Sequence, residues 1–334
     1  MEFDPALREE VKAAIDGKTK PVGSLGRIEE LAEQLCLLQG TTRPNADSCG
    51  LTIFAADHGL ADAGVSAFPK AVTQQMVLNF MGGGAAANAF AGAFGVTVRV
   101  VDAGVENPVD HPNLLVHRLG PGTANSAEEP AMSPGAVADA LDTGREFGAS
   151  WGFPVVAFGD MGIGNTATCA LLIHKITGQR LAPLVGPGTG LDAEGVARKL
   201  TILRKAASRT GKLQPMQALS EYGGFEIVMM AGAMIGAATE RRLVLVDGFI
   251  ASTAALIALT LEPELRPAFV FCHASAEPGN KALAQHLHAE PLLDLNLRLG
   301  EGTGALLAWP LVQAAAAMMN RMASFEDAGV SGAH

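Results

Sequence analysis

The sequence predicts a doubly wound α/β fold, a mostly parallel sheet with helices on both faces, and three observations carry that reading. Five short apolar or β-branched runs each end in a polar residue followed by glycine or a turn: "LTIFAADHG" (51–59), "VTVRVVDAG" (96–104), "PVVAFGDMG" (154–162), "RLVLVDG" (242–248) and "PAFVFCHAS" (267–275). Segments with helical spacing separate them. Aromatic residues make up only 5% of the chain while Ala and Gly abound, which suits helices packed tightly on a sheet. Continuous apolar strands alternating with helices are what a parallel sheet covered on both faces requires.

Taken in order, the chain begins with two helical patterns, 4–15 and 26–38, joined by "GKTKPVGSLG". The strand runs then alternate with helices expected at 70–94, about 135–150, 165–177, 192–210, 225–239 and 249–261, and a last helix begins near Thr303. This predicts a small helical subdomain, residues 1–45 and about 303–334, beside an α/β domain of residues 46–302. The Pro-rich, polar stretch 106–134 reads as one long connection, and connections of that length are usually lids or binding segments.

Composition removes several functions. A chain of 334 residues fits one large domain with a small appendage. The net charge of -10, with no cluster of Lys or Arg, gives no footprint for phosphate neutralisation, so nucleic acid is not an expected partner. Cys36, Cys49, Cys169 and Cys272 are scattered without a C-x-x-C pair, which predicts buried free thiols rather than a zinc ribbon or disulfide framework. The acidic start "MEFDPALREE" is followed by no apolar stretch, unlike a secretory signal. The Ala-rich stretch "TGALLAWPLVQAAAAMMN", interrupted by Pro310 and Gln313, is too weak to span a bilayer. A soluble cytoplasmic protein with small-molecule or protein partners, and no membrane association, is expected.

The strand ends carry Asp57, His58, Asp102, Asp160, Asp247 and His273. Each alone is equally well a helix cap or a turn-closing residue. As a set they predict one crevice beyond the carboxyl ends of the strands. Glycine loops recur at "GPGTAN" (Gly120), "GPGTGLD" (Gly186) and "GEGTGA" (Gly300), and "GDMGIGNTAT" (159–168) has the same build. None satisfies G-x-G-x-x-G after a strand or G-x-x-x-x-G-K-[ST]. They do offer backbone N–H groups leading into helices, with a Thr hydroxyl nearby, which is what an oxyanion needs. One such loop is usually a plain turn; four together point to a phosphorylated substrate. Lys199, seven residues past Asp192, is a candidate cation for that phosphate or a solvated side chain. The eight histidines lack zinc spacing except His286 and His288, which diverge on a helix, so no metal site is predicted. Glu301 sits between two glycines ahead of a helix, either as a carboxylate easing the helix dipole or as a reactive group.

Eight strings, in order and spanning nearly the whole chain, give the sequence a resemblance: "KPVGSLGRIEELA" (20–32), "FAADHGLADAGVSAFPKAVTQQMVLNFMGGGAAANAFA" (54–91), "GDMGIGNTAT", "GPGTGLDAEGVARK" (186–199), "YGGFEIVMMAGAMIGAA" (222–238), "VDGFIASTAAL" (246–256), "HASAEPG" (273–279) and "PLLDLNLRLGEGTGALLA" (291–308). The chain resembles the nicotinate-nucleotide:dimethylbenzimidazole phosphoribosyltransferases, which make the lower-ligand nucleotide of cobalamin. The resemblance implies a Rossmann-like domain with a smaller helical one, a homodimer, and neither metal nor dissociable cofactor. It implies substrates of nicotinate mononucleotide and an aromatic base. "KPVGSLG" could then reach a partner's active site. Ser66, Phe68 and Gln74, with Asp160 and Met161, would form the base pocket. Gly162, Asn165, Thr166, Gly188, Gly190, Lys199 and Ser275 would hold the nucleotide and its phosphate, and Glu301 matches the family's proposed catalytic base. Two positions depart from the family pattern: Asp160 stands where the family has Glu, and Asn280 where it has His. A carboxylate one methylene shorter retracts by more than about an ångström, which bears on base specificity more than on chemistry.

The chemistry asks for one acid–base group. The pyridine nitrogen of the mononucleotide is quaternary, so breaking its bond to C1′ releases a neutral ring and needs no general acid. As one nitrogen of the incoming benzimidazole attacks C1′, the N–H on the other becomes acidic, and a carboxylate within reach can take that proton. The competing readings are a related transferase for another acceptor, such as a purine, a phenol or a substituted benzimidazole, a non-catalytic nucleotide sensor, and a metal-dependent hydrolase built on Asp57 and His58.

Overall fold

The computed structural model describes residue 1 and residues 3–331. Six parallel strands, β1 (Cys49–Ala56), β2 (Thr97–Gly104), β3 (Leu114–Val116), β4 (Val155–Met161), β5 (Leu243–Val246) and β6 (Phe269–Phe271), form one sheet in the order β3-β2-β1-β4-β5-β6. The doubly wound α/β expectation holds, and each predicted run overlaps a strand. β3 is an addition, because it lies inside the stretch read as one long connection. Three residues, paired with Val100, Val101 and Asp102, are too few to leave a sequence period.

The helices are α1 (Pro5–Asp16), α2 (Arg27–Gln39), α3 (Ala71–Met81), α4 (Ala86–Phe94), α5 (Pro134–Ser150), α6 (Asn165–Thr177), α7 (Ala193–Ser208), α8 (Pro215–Tyr222), α9 (Phe225–Thr239), α10 (Phe249–Leu261), α11 (Pro278–His286), α12 (Thr303–Arg321) and α13 (Phe325–Ala328). Local chemistry sets several starts: Asp4 accepts from Ala6 N, Ser133 from Ala136 N and Asp192 from Gly195 N. The helix expected over 70–94 is two, α3 and α4, because Gly82, Gly83 and Gly84 separate them and Gly83 takes a φ of +77°. α12 runs through Pro310, whose local penalty is outweighed by the burial of this helix against β4, β5, α2 and α4. Among the described residues no helix is long and apolar enough to cross a membrane.

α3 and α4, which connect β1 to β2, and α12, which follows β6 and packs on α4, β4 and β5, lie against the sheet, while α9 and α10 pack on each other and on the sheet. α9 is buried along nearly its whole length, from Phe225 to Ala238, between the sheet and α5. The α5–α9 contact is backbone on backbone. A Cβ on Gly144 would lie 2.0 Å from Met229 O, and one on Gly236 would lie 2.1 Å from Arg145 O. α1 packs on α2 and α2 on α12, while Lys18 Nζ donates to Met319 O at 2.9 Å and Met322 O at 2.8 Å, closing the carboxyl end of α12. The chain builds outward from β1 through β2 to β3 and then returns to lay β4 on the other side of β1, which makes a topological switch point between β1 and β4.

Candidate active site

A cavity of about 340 Å³ opens beyond the carboxyl ends of β4, β5 and β6. One wall is the turn after Arg298. Gly300, Glu301 and Gly302 have φ values of +86°, +62° and +83°, so a non-glycine residue is held in the left-handed region between two glycines. Glu301 is 5% exposed and lines the cavity, and its Oε2 accepts from Ala87 N at 3.2 Å, at the start of α4. Burial pushes the Glu301 carboxyl above the ordinary range; the Ala87 amide opposes this and the nearby Asp247 charge adds to it. Asp160, at the end of β4, takes a 2.9 Å hydrogen bond from Asn165 Nδ2. Burial, then the charges of Asp247, Glu226 and Glu301, push its carboxyl well above the usual range, which favours its neutral acid.

The opposite wall is the turn from Gly186 to Gly190 with Lys199 behind it. Lys199 is 1% exposed and donates to Thr166 Oγ1 at 2.8 Å and to Gly186 O at 3.2 Å. Burial lowers its pKa to about 8, against the pull of Glu277 and Cys169. Arg298 Nη1 donates to Gly188 O at 3.0 Å, tying the two walls together. Glu277 lines the cavity at 4% exposure, and neither of its oxygens has a hydrogen-bond partner among the described residues. Burial raises its pKa, while Lys199 and Arg298 pull it down. Between the walls, Phe68, Val72, Met76, Met161 and Leu299 supply an apolar surface suited to a flat ring.

Over residues 1–330 the sequence matches the model of a family described as phosphoribosyltransferase. The chain belongs to that family. It is 51% identical over 334 residues to the nicotinate-nucleotide–dimethylbenzimidazole phosphoribosyltransferase of Cupriavidus necator, covering 98% of this chain and 96% of that one. The protein of the same name from Aromatoleum aromaticum is 52% identical over 332 residues, with the same coverage. The crystal structure of CobT from Thermus thermophilus superposes with a TM-score of 0.95 at 42% identity, covering 98% of this chain and all of that one.

Of the site residues expected in this family member, Phe68, Asp160, Met161, Gly162, Asn165, Thr166, Gly188, Ser275 and Glu301 line the cavity. Four stand outside the lining. Ser66 Oγ lies 3.3 Å from Thr189 Oγ1 at the rim, Gln74 Nε2 donates to Pro108 O at 3.2 Å, Gly190 shapes the turn with a φ of +124°, and Lys199 lies behind it. Of the strand-end residues, Asp160 and His273 reach the cavity, and Asp247 sits behind Glu301. His58 is fully buried under the Gly162 turn, 2.6 Å from Glu226 Oε1 through Nε2 and 2.9 Å from Thr168 Oγ1 through Nδ1. Asp57 Oδ2 accepts from Glu106 N, and Asp102 Oδ1 from Gly104 N and Val105 N, so both acids brace loops. Sequence reasoning missed the placement of Glu277 and Arg298. Both stood in quoted strings, but neither spacing nor periodicity marks them, and only the return of the chain after β6 brings them beside Gly188.

Proposed function

We propose that this protein transfers the phosphoribosyl group of nicotinate mononucleotide to 5,6-dimethylbenzimidazole, giving α-ribazole 5′-phosphate and nicotinate. The observation that carries the reading is the Glu301 carboxylate, fixed by an unusual backbone in a cavity whose other wall is a glycine turn with the Lys199 ammonium buried behind it. In this reading the phosphate lies on the side of Gly188, Thr166 and Ser275, with the buried Lys199 ammonium as its counter-charge. The heterocycle lies on the apolar surface of Phe68 and Met161, with Ser66 and Gln74 at its rim.

One benzimidazole nitrogen attacks C1′ as the bond from C1′ to the nicotinate nitrogen breaks, and that electron pair leaves with the neutral ring. The proton on the other azole nitrogen passes to Glu301. Its burial-raised proton affinity makes Glu301 a stronger acceptor than an exposed glutamate. Attack opposite the leaving ring inverts C1′, from a β to an α bond. The subdomain of residues 1–45 and about 303–334, a homodimer and residence in the cytoplasm belong to the same reading.

Product analysis by mass after incubation with nicotinate mononucleotide and a mixture of bases tests the acceptor. Glu301→Gln tests the chemistry: turnover should fall by about 10²- to 10⁴-fold while the mononucleotide still binds. Wild-type turnover in that variant would remove Glu301 as the base, and failure of any base to form a riboside would remove the activity.

A further inference from the structure

Asp247 follows β5, is 1% exposed and does not line the cavity. Its carboxylate nevertheless takes three backbone N–H groups at the start of α12: Gly302 N at 3.1 Å on Oδ2, and Gly304 N at 2.6 Å and Ala305 N at 3.1 Å on Oδ1. An acid is at home there, because the first turn of a helix has unpaired N–H groups and a positive dipole end. A helix is usually capped by the residue just before it; this cap comes from the turn after β5, 55 positions earlier than Gly302.

What the arrangement holds is the residue next to the cap. A left-handed non-glycine residue such as Glu301 is strained and persists only where its surroundings over-determine it. The surroundings here are close on every side. A Cβ on Gly159 of β4 would lie 2.4 Å from the Glu301 carbonyl carbon, so the 301–302 peptide rests directly on the sheet. His273 Nε2 stands 3.4 Å from Asp247 Oδ1, and its ring fills the space where Gly304 lacks a Cβ. Ala87 N then holds the far end of the Glu301 side chain.

We propose that Asp247 is a positioning residue whose grip on the amides of residues 302, 304 and 305 locks the left-handed turn that aims Glu301 into the cavity. Its charge also strengthens the hold of Glu301 on a proton. The proposal rests on the reading of Glu301 as the base, and a double-mutant cycle on the full chain separates the two.

Asp247→Asn keeps the size but turns an N–H donor toward the helix amides. It should lower kcat by about 10- to 100-fold, the scale of an ångström-sized misplacement, and leave KM for the mononucleotide within about threefold. The acid limb of its rate profile should move to lower pH, since the remaining Glu301 loses a neighbouring charge. In a Glu301→Gln background the same change should cost less than about threefold, because a positioning residue has nothing left to position. Retention of wild-type kcat in Asp247→Asn alone, or an equal loss in both backgrounds, overturns the proposal while leaving the function standing. Wild-type turnover in Glu301→Gln alone removes the base assignment and this proposal with it. If Asp247→Asn does not fold, Asp247→Glu keeps the charge at the helix start but displaces it, and the same cycle with the same two overturning results applies.

Discussion

The turns at Gly186 and Gly300 look alike in sequence, each a G-x-G-T-G leading into a helix, yet they do opposite things. At the first, the helix start is closed by its own Asp192, and the glycine turn ahead of it stays on the cavity wall with Lys199 beneath. At the second, a distant Asp247 occupies the helix N–H groups, and what faces the cavity is the carboxylate of Glu301. One turn is suited to receive an anion and the other presents an acid. The shared pattern codes for backbone bent sharply before a helix, and what fills the helix end decides its chemistry.

Changes at the two turns should therefore separate kcat from KM. The largest effect is that of Glu301→Gln, in turnover alone. Next comes Lys199→Met, where loss of one charge-assisted hydrogen bond, about 1.5–3 kcal/mol, should raise KM for the mononucleotide by roughly 10- to 150-fold with a smaller change in kcat. An unchanged KM would take the phosphate off that wall. Lys199 also sets a pH signature: with a pKa of about 8 its ammonium is charged below that value and neutral above it, so KM should rise as pH climbs past 8 in the wild type and stay flat in Lys199→Met. The raised pKa of Glu301 acts at the other end: turnover falls as pH drops through it, sooner than for an exposed glutamate. The smallest effect is that of Asp192→Ala, which should cost about 1 kcal/mol in denaturant unfolding and leave kcat alone, since it only caps α7.

Much of this was legible in the sequence because period and punctuation survive in it. The five predicted strands, the helices between them and the crevice at the strand ends follow from apolar runs closed by Asp or His and glycine. Glu301 stood out because glycines flanked it. The break at Gly82–Gly84 was visible in principle, but the apolar period on both sides argued for one helix. Less legible was which acid faces outward. Asp57, Asp102, Asp160 and Asp247 occupy equivalent strand ends, and only three-dimensional neighbours decide that two brace loops, one lines the cavity and one grips a helix. Glu277 and Arg298 were hidden for the same reason: the turn they stand against, at Gly188, comes from another part of the chain.

The bare backbone seam between α5 and α9 has a consequence far from the cavity. At Gly144, Gly148, Gly232 and Gly236 a single methyl group would overlap a main-chain oxygen, so the two helices cannot accept it without moving apart. α9 carries Glu226 in its first turn, beside His58 and the floor of the Gly162 turn, so a displaced α9 would drag that floor with it. A genetic screen for inactive alleles should therefore recover glycine-to-alanine changes along this seam, at sites no substrate ever touches.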